Sequence, residues 1–559
     1  MKAKAFLSKN LNFISAALMM CVILTGGFND YLSCFFSTVF LCFLAVKIIK
    51  NKTAVIYPNL QFIASVLIAV SYFAVMFWAV DKGMAFIGFL KFLPVPLFAL
   101  SIMQEDRETY DYLIPLPYLC SVLVIVSAVF TKLGIFDGYF SVSGRISGTL
   151  QYPNTFALLL LVSLIITVSK DKLCKADYAV IPVLLAGIIL TGSRTVFVLT
   201  GLSVIALLFI IKNKKIKIAV VSLGAALTLA AGIYALVSGN LSGIGRFLTI
   251  SLSESTFVGR FLYFKDALPI ILRHPFGLGY MGYFFEQSEF QTGVYSVKYI
   301  HNEFLQLMLD VGWIPAAVFA AAFIKTLFTK SVSVPQKLII TVIFLHLMFD
   351  FDLAFISVCF VLLCVADVKS GEPAEFAFSR IVTVSLCAAA VLLNLYMLFP
   401  LTLNHFKKYE LSHKLYKYNT LNNISLMEIT EDDGKYALSD EILKANSHVY
   451  QAYDVKALYY YSQGDFEKVI KYKHEAFRLG KFAYESRLNY CKMLINGIEL
   501  YAKAKDSYSA DICRKELLET AEDITGSKDK LSKLGSMIKD QPTTELDTET
   551  EEYVKSIKK

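Results

Sequence analysis

Apolar residues in this chain come in long, nearly unbroken blocks, and the polar positions are confined to the short stretches between them. A helix needs about 20 apolar residues to cross about 30 Å of hydrocarbon. Blocks of that kind occupy 11–28, 31–49, 60–80, 84–103, 112–134, 154–169, 178–191, 195–211, 216–237, 303–325, 338–349 with 353–367, and 381–400. They predict an all-α fold in which residues 1–403 form a polytopic transmembrane bundle of about 12–13 spans. The stretch 338–367 would run about 45 Å as one helix, and Asp350 and Asp352 interrupt it. It reads either as two short helices with Asp350-Phe351-Asp352 at an outer turn, or as one long tilted helix. The first choice puts everything after the last span outside the cell, and the second puts it inside.

Beyond about Pro400 the pattern becomes amphipathic. In 404–526 the segment Val455-Lys456-Ala457-Leu458-Tyr459-Tyr460, the turn Gly464-Asp465-Phe466, and then Val469 and Ala476 have the layout of a tetratricopeptide (TPR)-like helix pair. A generic helical bundle satisfies the same pattern. From Ser527 onward polar residues dominate, and 527–559 reads as a flexible tail.

Charge fixes the orientation. Lys2, Lys4 and Lys9, then Lys47, Lys50 and Lys52, then Lys170, Lys172 and Lys175, then Lys212, Lys214, Lys215 and Lys217, then Lys325, Lys330 and Lys337 fall in every second connection. Those connections belong in the cytoplasm, together with the N-terminus. The alternate ones lie outside, including a large loop, 238–302. The hairpin reading of 338–367 places the C-terminal domain outside as well. The run Leu11–Phe28 reads as a retained span with no cleavable leader.

Composition narrows the function. Of 559 residues, 56% are hydrophobic and 18% charged, which suits a multi-pass protein of the cell membrane. The net charge of +8 comes mainly from loop lysines and reports topology, not nucleic-acid binding. The 10 cysteines show no CxxC pattern, and no metal-ligand cluster, P-loop or serine elbow is visible. The outer connections nevertheless carry arginines: Arg145, Arg194, Arg246, Arg260 and Arg273. Guanidinium forks suit phosphate and diphosphate, although headgroup anchoring would explain any single one. His301 opens the span 303–325 beside Asn302, a suitable place for a proton acceptor. Tyr280, Tyr283, Phe284, Phe285, Phe290, Tyr295, Tyr299 and Phe304 form an interfacial belt, or stack on sugars or a polyprenyl chain. Lys91 and Asp310 are the main charges inside spans and would be the candidates for a transport path.

The order Gly144-Arg145, Gly148-Thr149, Pro153-Asn154, then Gly192-Ser193-Arg194, Gly259-Arg260, Ala267-Leu268, His274-Pro275, Gly277, Gly279, then His301-Asn302-Glu303-Phe304-Leu305 and Gly312 resembles the O-antigen ligase and O-antigen polymerase superfamily over roughly 140–367. His346, with Asp350-Phe351-Asp352, is similar to members that bear a repeat tail. The resemblance implies a GT-C-like helical membrane glycosyltransferase. It would take a polyprenyl-diphosphate-linked glycan as donor and transfer it with inversion at the outer face, without metal, nucleotide or cofactor. By the same resemblance Arg194 and Arg260, and with them Arg145, hold the donor diphosphate, and His301 is the base on the acceptor hydroxyl. Asn302, Arg273 and Asp350 are supporting candidates. The acceptor is a glycan, a wall polymer or a protein. Membrane lipid is a further partner, and the C-terminal helices are a surface for envelope-assembly proteins. Two other readings stay open: a flippase or transporter of lipid-linked glycan, and a membrane-anchored scaffold.

Overall fold

A computed structural model describes residues 12–136, 138–210 and 255–558, with isolated positions between 217 and 229. Most of the expected span 216–237, the segment 238–254 with Arg246, and Lys2, Lys4, Lys9, Lys212, Lys214 and Lys215 lie outside the described residues.

The first half of the membrane domain runs α1 Phe13–Ile23, α2 Asp30–Asn51, β1 Thr53–Ile56, α3 Leu60–Val75, α4 Lys82–Phe92, α5 Pro94–Met103, α6 Leu116–Leu133, β2 Ser141–Val142, β3 Arg145–Ile146, α7 Pro153–Val168, α8 Lys175–Thr191 and α9 Arg194–Ile210. The second half runs α10 Ser255–Arg273, α11 Gly282–Phe290, α12 Glu303–Val311, α13 Trp313–Phe328, α14 Val334–Leu347, α15 Ile356–Val365, β4 Ala374–Ala377 and α16 Arg380–His405. Short polar caps start many of these helices. Asn12, Asn59, Asp81 and Asn302 each accept from a backbone N–H one turn on. Two expected spans are not single straight helices. Pro94 kinks the helix inside 84–103, where Leu93 keeps helical geometry and the stretch Lys82–Met103 stays continuous, while Gly312, at φ +92°, separates α12 from α13 inside 303–325.

Among the described residues, Asp30–Asn51, Lys82–Met103, Thr109–Leu133 and Arg380–His405 are long and apolar enough to cross a membrane, and shorter apolar helices surround them. Two short ones are central. Helix α7 buries every side chain except Asn154, and α15 buries all of its side chains. A helix that is apolar all round belongs inside a bundle. The region 338–367 is indeed two helices, α14 and α15, meeting at Asp350-Phe351-Asp352. The charges inside spans are paired internally. Lys91 Nζ donates to Asp30 (3.1 Å) and to the Phe28 carbonyl (2.6 Å), and Asp310 accepts from Tyr72 (2.8 Å) and Gln306 (2.9 Å). Neither is left as a vacant binding charge for a transport path.

The connections sort into two ends. At one end β1 and β4 pair antiparallel from Thr53 opposite Ala377 to Ile56 opposite Ala374, and Lys369 Nζ donates to the carbonyls of Glu105 and Arg107. The other end gathers Gly26–Asp30, Asp81, 145–153, 191–194, 274–302 and 350–352. Ties there include Val80 N–H to the Leu278 carbonyl (3.0 Å) and Thr149 hydroxyl to the Val22 carbonyl (2.9 Å).

The C-terminal region continues as α17 Tyr409–Leu415, α18 Thr420–Ile429, α19 Asp432–Ala445, α20 Tyr450–Ser462, α21 Phe466–Leu479, α22 Tyr484–Lys503, α23 Ser507–Thr525 and α24 Thr548–Lys558. Neighbours pack in pairs, α20 with α21 and α22 with α23. The region sits on the end that carries the arginines. Asn446 donates to Asp81 (3.1 Å), Tyr416 to the Gly83 carbonyl (3.0 Å), and Arg478 pairs with Glu289 (3.2 Å). One expectation is corrected here. Residues 527–559 are not a loose tail: α24 packs on α22 and α23, and Ile538 and Val554 are buried. Their sparse apolar residues are enough because each enters a surface formed by another segment.

Glu286, buried between the membrane domain and this region, has His274 at 4.0 Å and His448 at 3.9 Å. Burial, aided by the Glu289 charge, pushes its carboxyl up to about 7. Burial also pushes both histidines down, so these contacts are not charged pairs near neutral pH. The folded state keeps the Glu286 proton up to about pH 7, whereas an unfolded glutamate loses it near 4.5. The stability this group contributes is therefore complete below about pH 4.5 and lost as pH rises through about 7. Glu286→Gln is expected to flatten the fall in thermal midpoint between about pH 5 and 8; an unchanged slope would refute the assignment.

Candidate functional site

Two short polar segments start the site. The β2–β3 ribbon places Arg145, and Gln151 takes a left-handed turn (φ +58°) just before Pro153 starts α7. Tyr152 and Asn154 therefore stand at the head of one of the two central, almost fully buried helices. Arg145 Nε donates to the Thr191 carbonyl (2.6 Å) and Nη2 to Asn154 Oδ1 (2.7 Å). This ties the end of α8 to the start of α7. Gly192, at φ +61°, closes α8, and Arg194 opens α9 two residues later.

His301 precedes α12 and adopts φ +58°, a conformation that non-glycine residues hold only when the surroundings impose it. What imposes it is the next residue. Asn302 caps α12 by accepting from Leu305 N–H (3.1 Å) and donates to the Met348 carbonyl (3.1 Å), just before the α14–α15 turn. The motif glycines have a structural part. Gly277 and Gly312 let two backbones touch, with Leu278 and Gly279 donating to the Leu309 and Asp310 carbonyls and Trp313 to that of Pro275. A Cβ at Gly277 would lie 2.5 Å from the Asp310 carbonyl oxygen. This contact docks the 274–279 segment on the α12–α13 break, and with it the C-terminal end of α10.

These elements converge on Asp350, which is 1% exposed in the turn between α14 and α15. Its Oδ1 accepts from Tyr152 hydroxyl (2.7 Å) and Phe351 N–H (3.0 Å), with His301 Nδ1 at 3.3 Å. Its Oδ2 accepts from Asn154 (2.8 Å) and from Arg260 Nη2 (3.4 Å). Burial alone would raise this carboxyl. The His301 hydrogen bond and the Arg260 charge prevail and hold it well below the usual carboxylate range. An ionised carboxylate can only accept, so His301 Nδ1 carries a proton, and in the neutral ring the lone pair is on Nε2. The arrangement is therefore a carboxylate-oriented imidazole with a basic nitrogen on its far side. The Arg260 contact is longer than the usual 2.7–2.9 Å of a charge-assisted bond, and among the described residues it is the one hydrogen bond of this guanidinium.

Aromatic rings floor the site. Phe351 stacks on Tyr299 (5.0 Å, 14°), meets His301 edge-on (5.0 Å, 74°) and lies 4.7 Å from Tyr152. A second layer lies beneath. Asp352 accepts from Thr155 (2.6 Å) and bonds His346 Nδ1 (2.5 Å), while Glu303 accepts from Leu353 N–H (2.6 Å). All three acid and imidazole side chains are buried.

The sequence of the O-antigen ligase family, taken as a family model, matches residues 179–320. This stretch, about a quarter of the chain, is similar to an O-antigen ligase domain. That segment holds Arg194, Arg260 and His301, and its family work is glycan transfer at the cell surface, an enzymatic role. Asp350, on which His301 and Arg260 meet, lies beyond its end. No curated protein matches the chain.

The structure brings together four of the residues singled out in the sequence: His301, Arg260 and Asp350 directly, and Arg145 through Asn154. Asn302 supports the turn. Arg194 lies next along the chain to the Arg145–Thr191 contact. Arg273 is elsewhere: its guanidinium lies over the Phe290 ring (5.1 Å), at the far end of α10 from Arg260. Sequence reasoning missed Tyr152 as a ligand of Asp350. Its place beside Pro153-Asn154 was the one available signal.

Proposed function

We propose that the Asp350 cluster is the active site of a glycosyltransferase that moves a glycan from a polyprenyl diphosphate to an acceptor hydroxyl. The observation that carries this reading is the convergence of His301 and Arg260 on the two oxygens of one buried carboxylate. The acceptor oxygen attacks the anomeric carbon, and its proton passes to His301 Nε2. The bond from that carbon to the diphosphate oxygen breaks, and the diphosphate leaves with the electron pair. Arg260, with Arg194 from the start of α9, neutralises the charge that develops. Asp350 holds the imidazole in its Nδ1–H tautomer, and Arg145 braces Asn154 against Asp350. Attack opposite the leaving group inverts the anomeric centre. The lysine-rich connections define the cytoplasmic end, so the site and the C-terminal region face outward, where lipid-linked glycans are used. Phe351, Tyr299 and Tyr152 offer ring faces to sugar or isoprenoid.

Glycan profiling of a deletion strain complemented with wild type or His301→Ala tests the reading. Complete chains left on the lipid carrier in the variant indicate ligation, and single repeats accumulating there indicate polymerisation. Transfer in His301→Ala should fall by about 10²–10⁴-fold, the usual worth of a positioned base. A wild-type profile would remove the proposal.

A further inference from the structure

The C-terminal segment Ser532–Gln541 returns to the membrane domain and lies along α10, the helix that carries Arg260. Ser532 N–H donates to the Thr292 carbonyl (2.9 Å). The Thr292 hydroxyl donates to Asp266 Oδ1 (2.7 Å) and has the Ser532 hydroxyl at 2.8 Å. Asp266 Oδ2 accepts from Thr292 N–H (2.7 Å) and Tyr295 hydroxyl (3.0 Å). Lys539 N–H donates to the Ser255 hydroxyl (2.6 Å) at the start of α10. Ile538 completes an apolar cluster with Val258 and Leu262. The fit at Gly535 is tight: a Cβ there would stand 2.1 Å from the Thr292 carbonyl oxygen.

The helical period gives this contact its meaning. Val258 and Leu262 are four residues apart and share a face, whereas Arg260 lies about 180° around the helix. The segment presses on the back of α10, and Arg260 projects from the front toward Asp350. The contact from Arg260 to Asp350 is a single 3.4 Å bond, which is weak as a positional restraint on its own.

We infer that residues 532–541 are a strap that positions Arg260 by holding α10 from behind, with Ile538 and Ser532 as positioning residues. This inference rests on the reading of Arg260 as a diphosphate ligand, and its test is arranged to separate the two. Full-length protein in lipid nanodiscs is compared as wild type, Ile538→Asp, the milder Ile538→Ala, Ser532→Ala, Arg260→Ala and the Ile538→Asp/Arg260→Ala double variant. Amide exchange is followed over 255–262, and affinity is measured for farnesyl diphosphate. Loss of the strap should speed exchange over 255–262 and weaken farnesyl diphosphate binding by about tenfold, with smaller effects in the two mild variants. The double variant should bind no worse than Arg260→Ala alone, because both changes remove the same interaction. Wild-type exchange over 255–262 in both Ile538 variants and Ser532→Ala would overturn the strap. So would losses in the two single variants that multiply in the double. Wild-type affinity in Arg260→Ala would instead count against the donor site, and the exchange rates would still decide the strap.

Discussion

Asp350→Asn is expected to lower glycan transfer per folded molecule by roughly 10³–10⁴-fold. The amide keeps the shape of the carboxyl and loses its charge. The Nδ1 proton of His301 then has no anion to hold it, so the ring is free to turn or change tautomer and the basic Nε2 is no longer presented. Arg260 loses its counter-charge in the same step. The side-chain donors around the carboxylate, from Tyr152, Asn154, His301 and Arg260, are a set that an amide NH₂ would oppose at one oxygen position. Initial transfer rates in membranes, at a fixed amount of lipid-linked donor, provide the measurement. A variant within tenfold of wild type would show that the imidazole works without the carboxylate, and the proposed roles would have to be reassigned.

The largest stability effect is expected one layer deeper. Asp352→Ala removes the partner of a fully buried imidazole and of the Thr155 hydroxyl. His346 is 0% exposed, and among the described residues its Nε2 has no hydrogen-bond partner. Stripping one side of a buried pair costs about 3–5 kcal/mol, because the other group is left desolvated and alone. Replacing both members with apolar residues of similar volume should cost much less. Thermal midpoints in detergent should therefore rank wild type highest, the His346→Leu/Asp352→Leu double variant close to it, and Asp352→Ala lowest. If Asp352→Ala melts with the wild type, the pair does not hold the α14–α15 turn. The same pair explains why that turn is rigid enough to serve as the meeting point of the site: Thr155 is one residue from Asn154, and Asp352 is two from Asp350.

Much of the site was legible because each residue type has few uses where it stood. An arginine in a tight turn between apolar helices, or a histidine at the head of one, runs against the composition expected there. Asp350 drew notice because it interrupted an apolar run, but only as a support. Tyr152 carried no such signal, since a tyrosine at an interface is ordinary. Arg273 shows the opposite failure. It had the right chemistry and the right loop, but it closes α10 about three and a half turns beyond Arg260, and the helix axis carries it away from Asp350. The tail from Ser527 reads as loose from the sequence because its apolar residues are too sparse to bury one another. They are buried by α10, α22 and α23, which a local reading does not see.

Periodicity and charge determine the helices, the ends to which their connections belong and the change to an amphipathic region near Pro400, because membrane and water act on each segment independently of its distant neighbours. Which residues share a site was decided by tertiary structure alone. The ligands of Asp350 come from α7, α10, the approach to α12 and the α14–α15 turn. Their meeting depends on helix packing and on close backbone contacts such as Gly277 with Asp310, quantities that no single stretch of sequence contains.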